Sequence, residues 1–161
     1  MAGKIKIRIG IDPDVDKSGF CLIEHIPFKK PEIKILQCFD FFDVIDLLAH
    51  RYLKSLNEQT ELIIFIEAGF LNKKSNFRQM IKKGGKWVAA PDAVKEKMAS
   101  NTGENHCIGK LFELYCKKNR IPYKLYKPVS KKWDAKIFKM ITGFTQRTNP
   151  EMRDAVRAAW V

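Results

Sequence analysis

Apolar and polar residues alternate along Ile5-Lys6-Ile7-Arg8-Ile9-Gly10-Ile11-Asp12, the period of a strand with one face in a core. Residues 13–19 then read as a turn. Residues 20–24 and 33–39 are two further strand-like runs, spaced so closely that an antiparallel meander is expected. Asp40 is placed to cap a helix reaching Leu56, with Asp43 in its first turn, where the helix dipole favours an acid. Phe41, Ile45, Leu48 and Tyr52 would share one face of it. Residues 62–67 are apolar up to the closing Glu67, as in a central strand covered on both sides. Residues 70–103 lose the period: they are basic and hold Gly84-Gly85, Pro91, Phe70, Phe77 and Trp87. An irregular segment of that length in a compact domain is a functional or mobile one. A helical period returns at 104–118 with Ile108, Leu111, Phe112 and Tyr115. A fifth strand is expected at 122–127, and Ser130 as the cap of a helix carrying Trp133, Ile137 and Ile141. Asn149 and Pro150 have the form of a cap and first position of a last helix. Strands and helices in this order predict an α/β domain on a mixed sheet.

Charge changes the picture. Over 161 residues the chain carries 30 Lys+Arg against 18 Asp+Glu, a net charge of +12. So basic a balance points to nucleic acid first and to an anionic membrane surface second. The cations cluster: residues 70–100 hold eight Lys/Arg and two acids, and residues 117–139 hold nine and one. Both segments are expected on one binding face. The length fits a single domain, residues 1–161, with a basic insert at about 70–103. No run is apolar for long enough to span a membrane. Met1-Ala2-Gly3-Lys4 leads straight into a strand, so no signal peptide is expected and the location is expected to be cytoplasmic, nucleoid-associated in a bacterium or phage. Cys21, Cys38, Cys107 and Cys116 form no CxxC pair, which argues against zinc; Cys21 and Cys38 read as small core residues. No organic cofactor is expected.

Against that basic background, three separate elements each end on or carry an acid. Asp12 closes the first strand, Glu67 closes the fourth, and Glu151 and Asp154 lie three apart on one face of the last helix. A carboxylate at the end of a core strand is costly unless it meets a cation or a donor. Hydrolysis of a phosphodiester by a metal pair about 4 Å apart needs several such carboxylates. Mg²⁺ suits the task because it keeps water in its open positions and takes few protein oxygens. Plainer readings stand beside these: Asp12 as a turn residue before Pro13, Glu151 as a dipole-favoured acid, Asp14 and Asp16 as turn residues. Ala155, Ala158 and Ala159 after Asp154 suggest a helix packed close on the sheet with that carboxylate turned inward. His25, His50 and His106 are scattered and receive no catalytic role.

These residues carry a resemblance. Ile9-Gly10-Ile11-Asp12-Pro13-Asp14 through Ser18-Gly19-Phe20 resembles the first motif of RuvC-type Holliday junction resolvases. Ile66-Glu67-Ala68-Gly69-Phe70-Leu71-Asn72-Lys73 is similar to the second motif, and Glu151-Met152-Arg153-Asp154-Ala155 to the last. Pro128-Val129-Ser130-Lys131-Lys132-Trp133 resembles the Ser-Lys-x-Trp stretch of a divergent branch with plastid, phage and bacterial members. Asp14 stands where many members have Gly, and Glu151 where Asp is commoner.

The resemblance implies a ribonuclease H-like fold with a five-stranded sheet in the order 3-2-1-4-5, flanked by helices. It implies a homodimer that cuts a four-way DNA junction symmetrically with Mg²⁺ or Mn²⁺, two ions per site. Asp12, Glu67, Glu151 and Asp154 would be the metal ligands, with Lys132 beside them in the catalytic group. Phe70 would probe the junction centre, since stacking on an unpaired base is worth about 1–3 kcal/mol. Lys131 and Lys132 would meet phosphate near the cut, and Lys73, Lys74, Arg78, Lys82, Lys83 and Lys86 would bind nucleic acid elsewhere. Two other functions stay open: a ribonuclease H-like nuclease on RNA–DNA hybrid, which would need recognition of the 2′-hydroxyl, and a non-catalytic nucleic-acid-binding module.

Overall fold

A computed structural model describes residues 4–72, 80–129 and 132–160. The meander expected from the first three runs is present. Strands β1 (Lys6–Asp12), β2 (Ser18–His25) and β3 (Glu32–Phe39) pair antiparallel in sequence. Helix α1 (Phe41–Asn57) follows, capped by Asp40, whose carboxylate accepts from the Asp43 backbone N–H at 3.0 Å. It returns the chain to β4 (Glu61–Glu67), which lies parallel to β1. The fifth strand of the sheet, Tyr123–Tyr126, lies parallel to β4.

Between them the chain does something the sequence did not show. A single 3-10 turn, Gly69–Leu71, is followed by a two-stranded hairpin, β5 (Met80–Lys83) and β6 (Lys86–Ala89). The outer strand Tyr123–Tyr126 is therefore β7, and the main sheet has the order β3-β2-β1-β4-β7. Helix α2 begins at Asp92 and runs 27 residues to Lys118, not from residue 104. Its first half has no apolar stripe and stays largely exposed, held by local pairs such as Lys95–Asp92 at 2.9 Å and Ser100–Glu104 at 3.0 Å. Helix α3 (Ala135–Thr142) starts later than expected. Asp134, not Ser130, caps it by accepting from the Ile137 N–H at 2.8 Å, so Trp133 precedes the helix. Helix α4 (Pro150–Ala159) has the expected cap, Asn149 accepting from the Met152 N–H at 2.8 Å.

The sheet separates two cores. On one side Ile9, Ile11, Phe20, Leu22, Ile64 and Ile66 are buried beneath α1 and the second half of α2, with Val44, Leu48 and Phe112. On the other, Cys21 and Ile23 meet Phe138 of α3 and Ala155, Val156 and Ala159 of α4. Strand residues alternate between faces, so Gly10 and Asp12 share the α4 side with their cross-strand partners Cys21 and Gly19. Small residues let α4 come unusually near. A Cβ on Gly10 would stand 2.0 Å from the Ala155 carbonyl oxygen, and one on Gly19 2.2 Å from that of Glu151. Arg8 Nη1 reaches the Ala159 carbonyl at 3.5 Å and anchors the far end of the helix. Among the described residues no helix is long and apolar enough to cross a membrane.

Candidate active site

Parallel pairing of β1 with β4 puts their C-terminal ends side by side. Ile11 is opposite Ile66, so Asp12 and Glu67 leave the sheet as neighbours on the α4 side. Helix α4 crosses this edge and presents Asp154, which is 1% exposed; Glu67 is 9% exposed. Burial, then repulsion from Glu67 and Asp154, push the Asp12 carboxyl up to about 8 against the pull of Lys132, with a smaller push from Glu151. Burial and Asp154 likewise raise Glu67, while Lys132 and Arg157 pull it down. Three carboxylates therefore sense one another in a site that excludes much of the water. Glu151 stands apart at the rim. It is half-buried and lines an open cleft with Asp14, Asp16, Lys17, Cys38 and Asn149.

Among the described residues two cations enter the cluster. Lys132 Nζ bonds Asp154 Oδ2. Burial works against the Lys132 ammonium, but that bond and the fields of Asp154, Asp12 and Glu67 hold it above its ordinary value. Its neighbour Trp133 is fixed by a 3.0 Å bond from Arg153 Nε to the Trp133 carbonyl, and Arg153 Nη1 also donates to the Thr148 carbonyl at 3.0 Å. Arg153 thus ties both loops flanking α3 to α4 and sets Lys132 over the acids. The second cation is Arg157, 5% exposed, with Nη2 at 3.5 Å from both Glu67 Oε2 and Asp154 Oδ1.

Sequence reasoning named Asp12, Glu67, Asp154 and Lys132, and the structure gathers these four. It missed Arg157. Its only trace in the sequence is a position one turn beyond Asp154 in a helix of small and apolar residues, and that does not set it apart from a surface arginine. Phe70 is half-buried on the other flank, with Lys110 Nζ 5.6 Å above its ring and His106 at its edge, 6.4 Å between ring centres. Lys82, Lys83 and Lys86 are exposed on the hairpin. Lys73, Lys74, Arg78 and Lys131 lie outside the described residues.

A divalent cation fits the donor chemistry. Three carboxylates, Glu67 and Asp154 buried and Asp12 half-buried, repel one another, and Glu67 Oε2, shielded from water, has only the long 3.5 Å contact with Arg157 Nη2 among the described residues. Their oxygens are spread, however: among the described residues no three of His, Cys, Asp and Glu are gathered tightly enough to grip one ion. Lys132 and Arg157 stand where the charge of such an ion would act.

Strand order, strand directions and the helix laid over the β1 and β4 ends define a ribonuclease H-like α/β fold carrying a buried carboxylate site. No protein-family model matches the chain, and no curated protein matches it. Among solved structures the chain is similar to Thermus thermophilus RuvC in complex with a Holliday junction substrate, with 14% identity over 96% of this chain and 90% of that one and a TM-score of 0.49. It is similar also to a second Thermus thermophilus RuvC structure, with 15% identity over 96% and 91% and a TM-score of 0.47.

Proposed function

We propose that the chain is a divalent-metal-dependent endonuclease that cuts branched DNA, resolving four-way junctions. The observation that carries this reading is the meeting of Asp12, Glu67 and Asp154 at one buried sheet edge of a protein with net charge +12. A module that only bound nucleic acid would lose affinity by keeping three acids where phosphate must lie.

Asp12, Glu67 and Asp154 would hold Mg²⁺ or Mn²⁺, with Glu151 at the rim. When bound, such an ion supplies Lewis acidity toward a phosphoryl oxygen and lowers the pKa of a water. Lys132 is more than half exposed on its solvent side while bonded to Asp154, so it faces both the acids and an incoming phosphate. There it offsets charge that builds on the phosphoryl oxygens. Lys82, Lys83 and Lys86 form a second, exposed group of phosphate contacts, with Trp87 beside them at 62% exposure. Phe70, in the 3-10 turn that follows Glu67 at the end of β4, would stack on an unpaired base.

Symmetric cutting needs two sites, hence two copies related by a twofold axis. Phe42, Leu53 and Leu56, exposed on α1, provide apolar surface for that pairing. The reading is tested by offering the protein a labelled four-way junction, a linear duplex and an RNA–DNA hybrid, each with Mg²⁺, Mn²⁺ or chelator. Paired nicks confined to the junction and lost in chelator are expected. Cutting of the hybrid alone would move the activity to a ribonuclease H-like one. Junction binding with no cutting in either metal would leave a binding module.

A further inference from the structure

Arg157 is a cation buried in a helix that otherwise packs on the sheet through small residues. Ala155, Ala158 and Ala159 around it are fully buried, and α4 lies against the sheet through glycine and alanine backbone. A guanidinium in that position is taken out of water at considerable cost. It cannot escape by losing its proton, because arginine stays charged in proteins. The structure offsets it with two acids of the site itself: Nη2 lies 3.5 Å from Glu67 Oε2 and 3.5 Å from Asp154 Oδ1, and the guanidinium carbon is 6.0 Å from the Tyr126 ring centre.

This has a consequence for metal. Metal binding requires its carboxylate ligands to be deprotonated; Asp12, Glu67 and Asp154 in that state, set against the buried guanidinium 3.5 Å from Glu67 and Asp154, leave two negative charges, the charge of one divalent ion. Arg157 also engages one oxygen of Glu67 and one of Asp154, while the other Asp154 oxygen is bonded by Lys132. Lys132 differs from Arg157 in kind: its side chain is 58% exposed and can turn to solvent or to phosphate, whereas that of Arg157, at 5%, is enclosed. Glu151, at the open rim, is exposed enough for water to share its charge.

We propose that Arg157 is a permanent internal counter-cation of the carboxylate site, standing in for a second divalent ion, so that each chain takes up one metal ion where the carboxylates alone would call for two. The inference rests on the nuclease reading only for the statement that the site binds a divalent metal. It departs from the two ions per site that the family resemblance implies. Arg157 is a positioning residue on this account: it sets the charge and oxygen supply that the metal meets.

The test counts Mn²⁺ bound to DNA-free protein, by titration calorimetry and by the loss of the free-ion electron paramagnetic resonance signal. Wild type is compared with Arg157→Lys and Arg157→Gln, and far-ultraviolet circular dichroism confirms that each variant is folded. One ion is expected on wild type and on Arg157→Lys. Arg157→Gln should bind two, or bind the single ion at least tenfold more tightly. Two ions on wild type, no ion on wild type, or a folded Arg157→Gln with wild-type count and affinity would each overturn the proposal. Should Arg157→Gln fail to fold, the count on wild type and on Arg157→Lys still decides: one supports, two refutes. Cleavage of a junction is followed on the same samples. One Arg157-dependent ion without cleavage would sink the nuclease reading and leave this inference standing; two ions with cleavage would do the reverse.

Discussion

Glycine is used in two opposite ways in this molecule. At Gly10 and Gly19 it is an absence, the missing side chain that lets the α4 backbone come against the sheet; an added Cβ would stand 2.0 and 2.2 Å from carbonyl oxygens. At Gly84 and Gly85 it is a conformation. Their φ angles are +56° and +82°, and an added Cβ would meet nothing within 4 Å. The first pair builds a closed region, where Asp12, Glu67 and Asp154 act on one another with little water between them. The second pair turns an open hairpin whose Lys82, Lys83, Lys86 and Trp87 face solvent. A closed region can strengthen charge interactions and shift proton affinities. An open one can only offer charge and area to a partner. On our reading the first region does the chemistry and the second holds the substrate.

The largest effect expected from breaking this division is at the carboxylates. Asp12→Asn or Asp154→Asn should lower the rate of cleavage by about 10²–10³-fold, the size of loss seen when a charge-stabilising group leaves a site. Single-turnover rates on the junction measure it, and a variant retaining a tenth of the wild-type rate would remove that residue from the chemistry. Next come the glycines. Gly10→Ala forces α4 off the sheet and should cost about 1–3 kcal/mol or more, as overpacking does, and should reduce cleavage as well. Gly85→Ala meets no atoms and should cost only the left-handed backbone penalty, about 1–2 kcal/mol, with the rate at saturating protein unchanged. Urea denaturation of the two variants separates these cases; equal losses of stability and rate would erase the contrast.

A smaller effect is expected at the hairpin. Replacing Lys82, Lys83 and Lys86 with Ala should weaken DNA binding and flatten its dependence on salt by about 2–3 in the log–log slope, since each phosphate contact contributes about 0.9. Filter-binding across a salt series reads this directly, and an unchanged slope would show that these lysines do not meet phosphate. The last effect concerns protons in the closed region and is read from stability alone. Asp12 titrates near 3.8 when unperturbed and at about 8 in the fold. The native chain then keeps a proton that the unfolded chain releases, so this group's stabilising contribution is complete below about pH 4 and is lost as pH rises through about 8. In chelator, the melting temperature should fall between those limits, and Asp12→Asn should flatten the fall. Parallel pH curves for the two proteins would mean that the acids do not crowd one another.

Much of the closed region was legible because local rules and tertiary packing agree there. Alternating isoleucines marked β1, an unbroken apolar run marked β4, and Asp40 and Asn149 capped the helices they preceded. The strand ends then dictated that Asp12 and Glu67 would be neighbours. Arg157 was not legible, because an arginine in a short helix is ordinarily a surface residue. Only the burial of all of residues 154–159 makes it part of the site. The open region was harder for the converse reason. The first half of α2 buries no stripe, so no hydrophobic period announced it. The hairpin has only four residues in each strand, and its Gly-Gly turn was visible without the pairing being so. Asp134 displaced Ser130 as the α3 cap because either residue type can do the job, and sequence alone does not choose between them.

The division of labour is tested most directly by measuring binding and cutting separately on one labelled four-way junction. Asp154→Asn and the variant with Lys82, Lys83 and Lys86 replaced by Ala are compared with wild type in Mg²⁺. The account predicts that Asp154→Asn binds the junction and fails to cut it. The lysine variant should bind weakly and cut at the wild-type rate once protein is saturating. Loss of binding and cutting in the same proportion by both variants would contradict it.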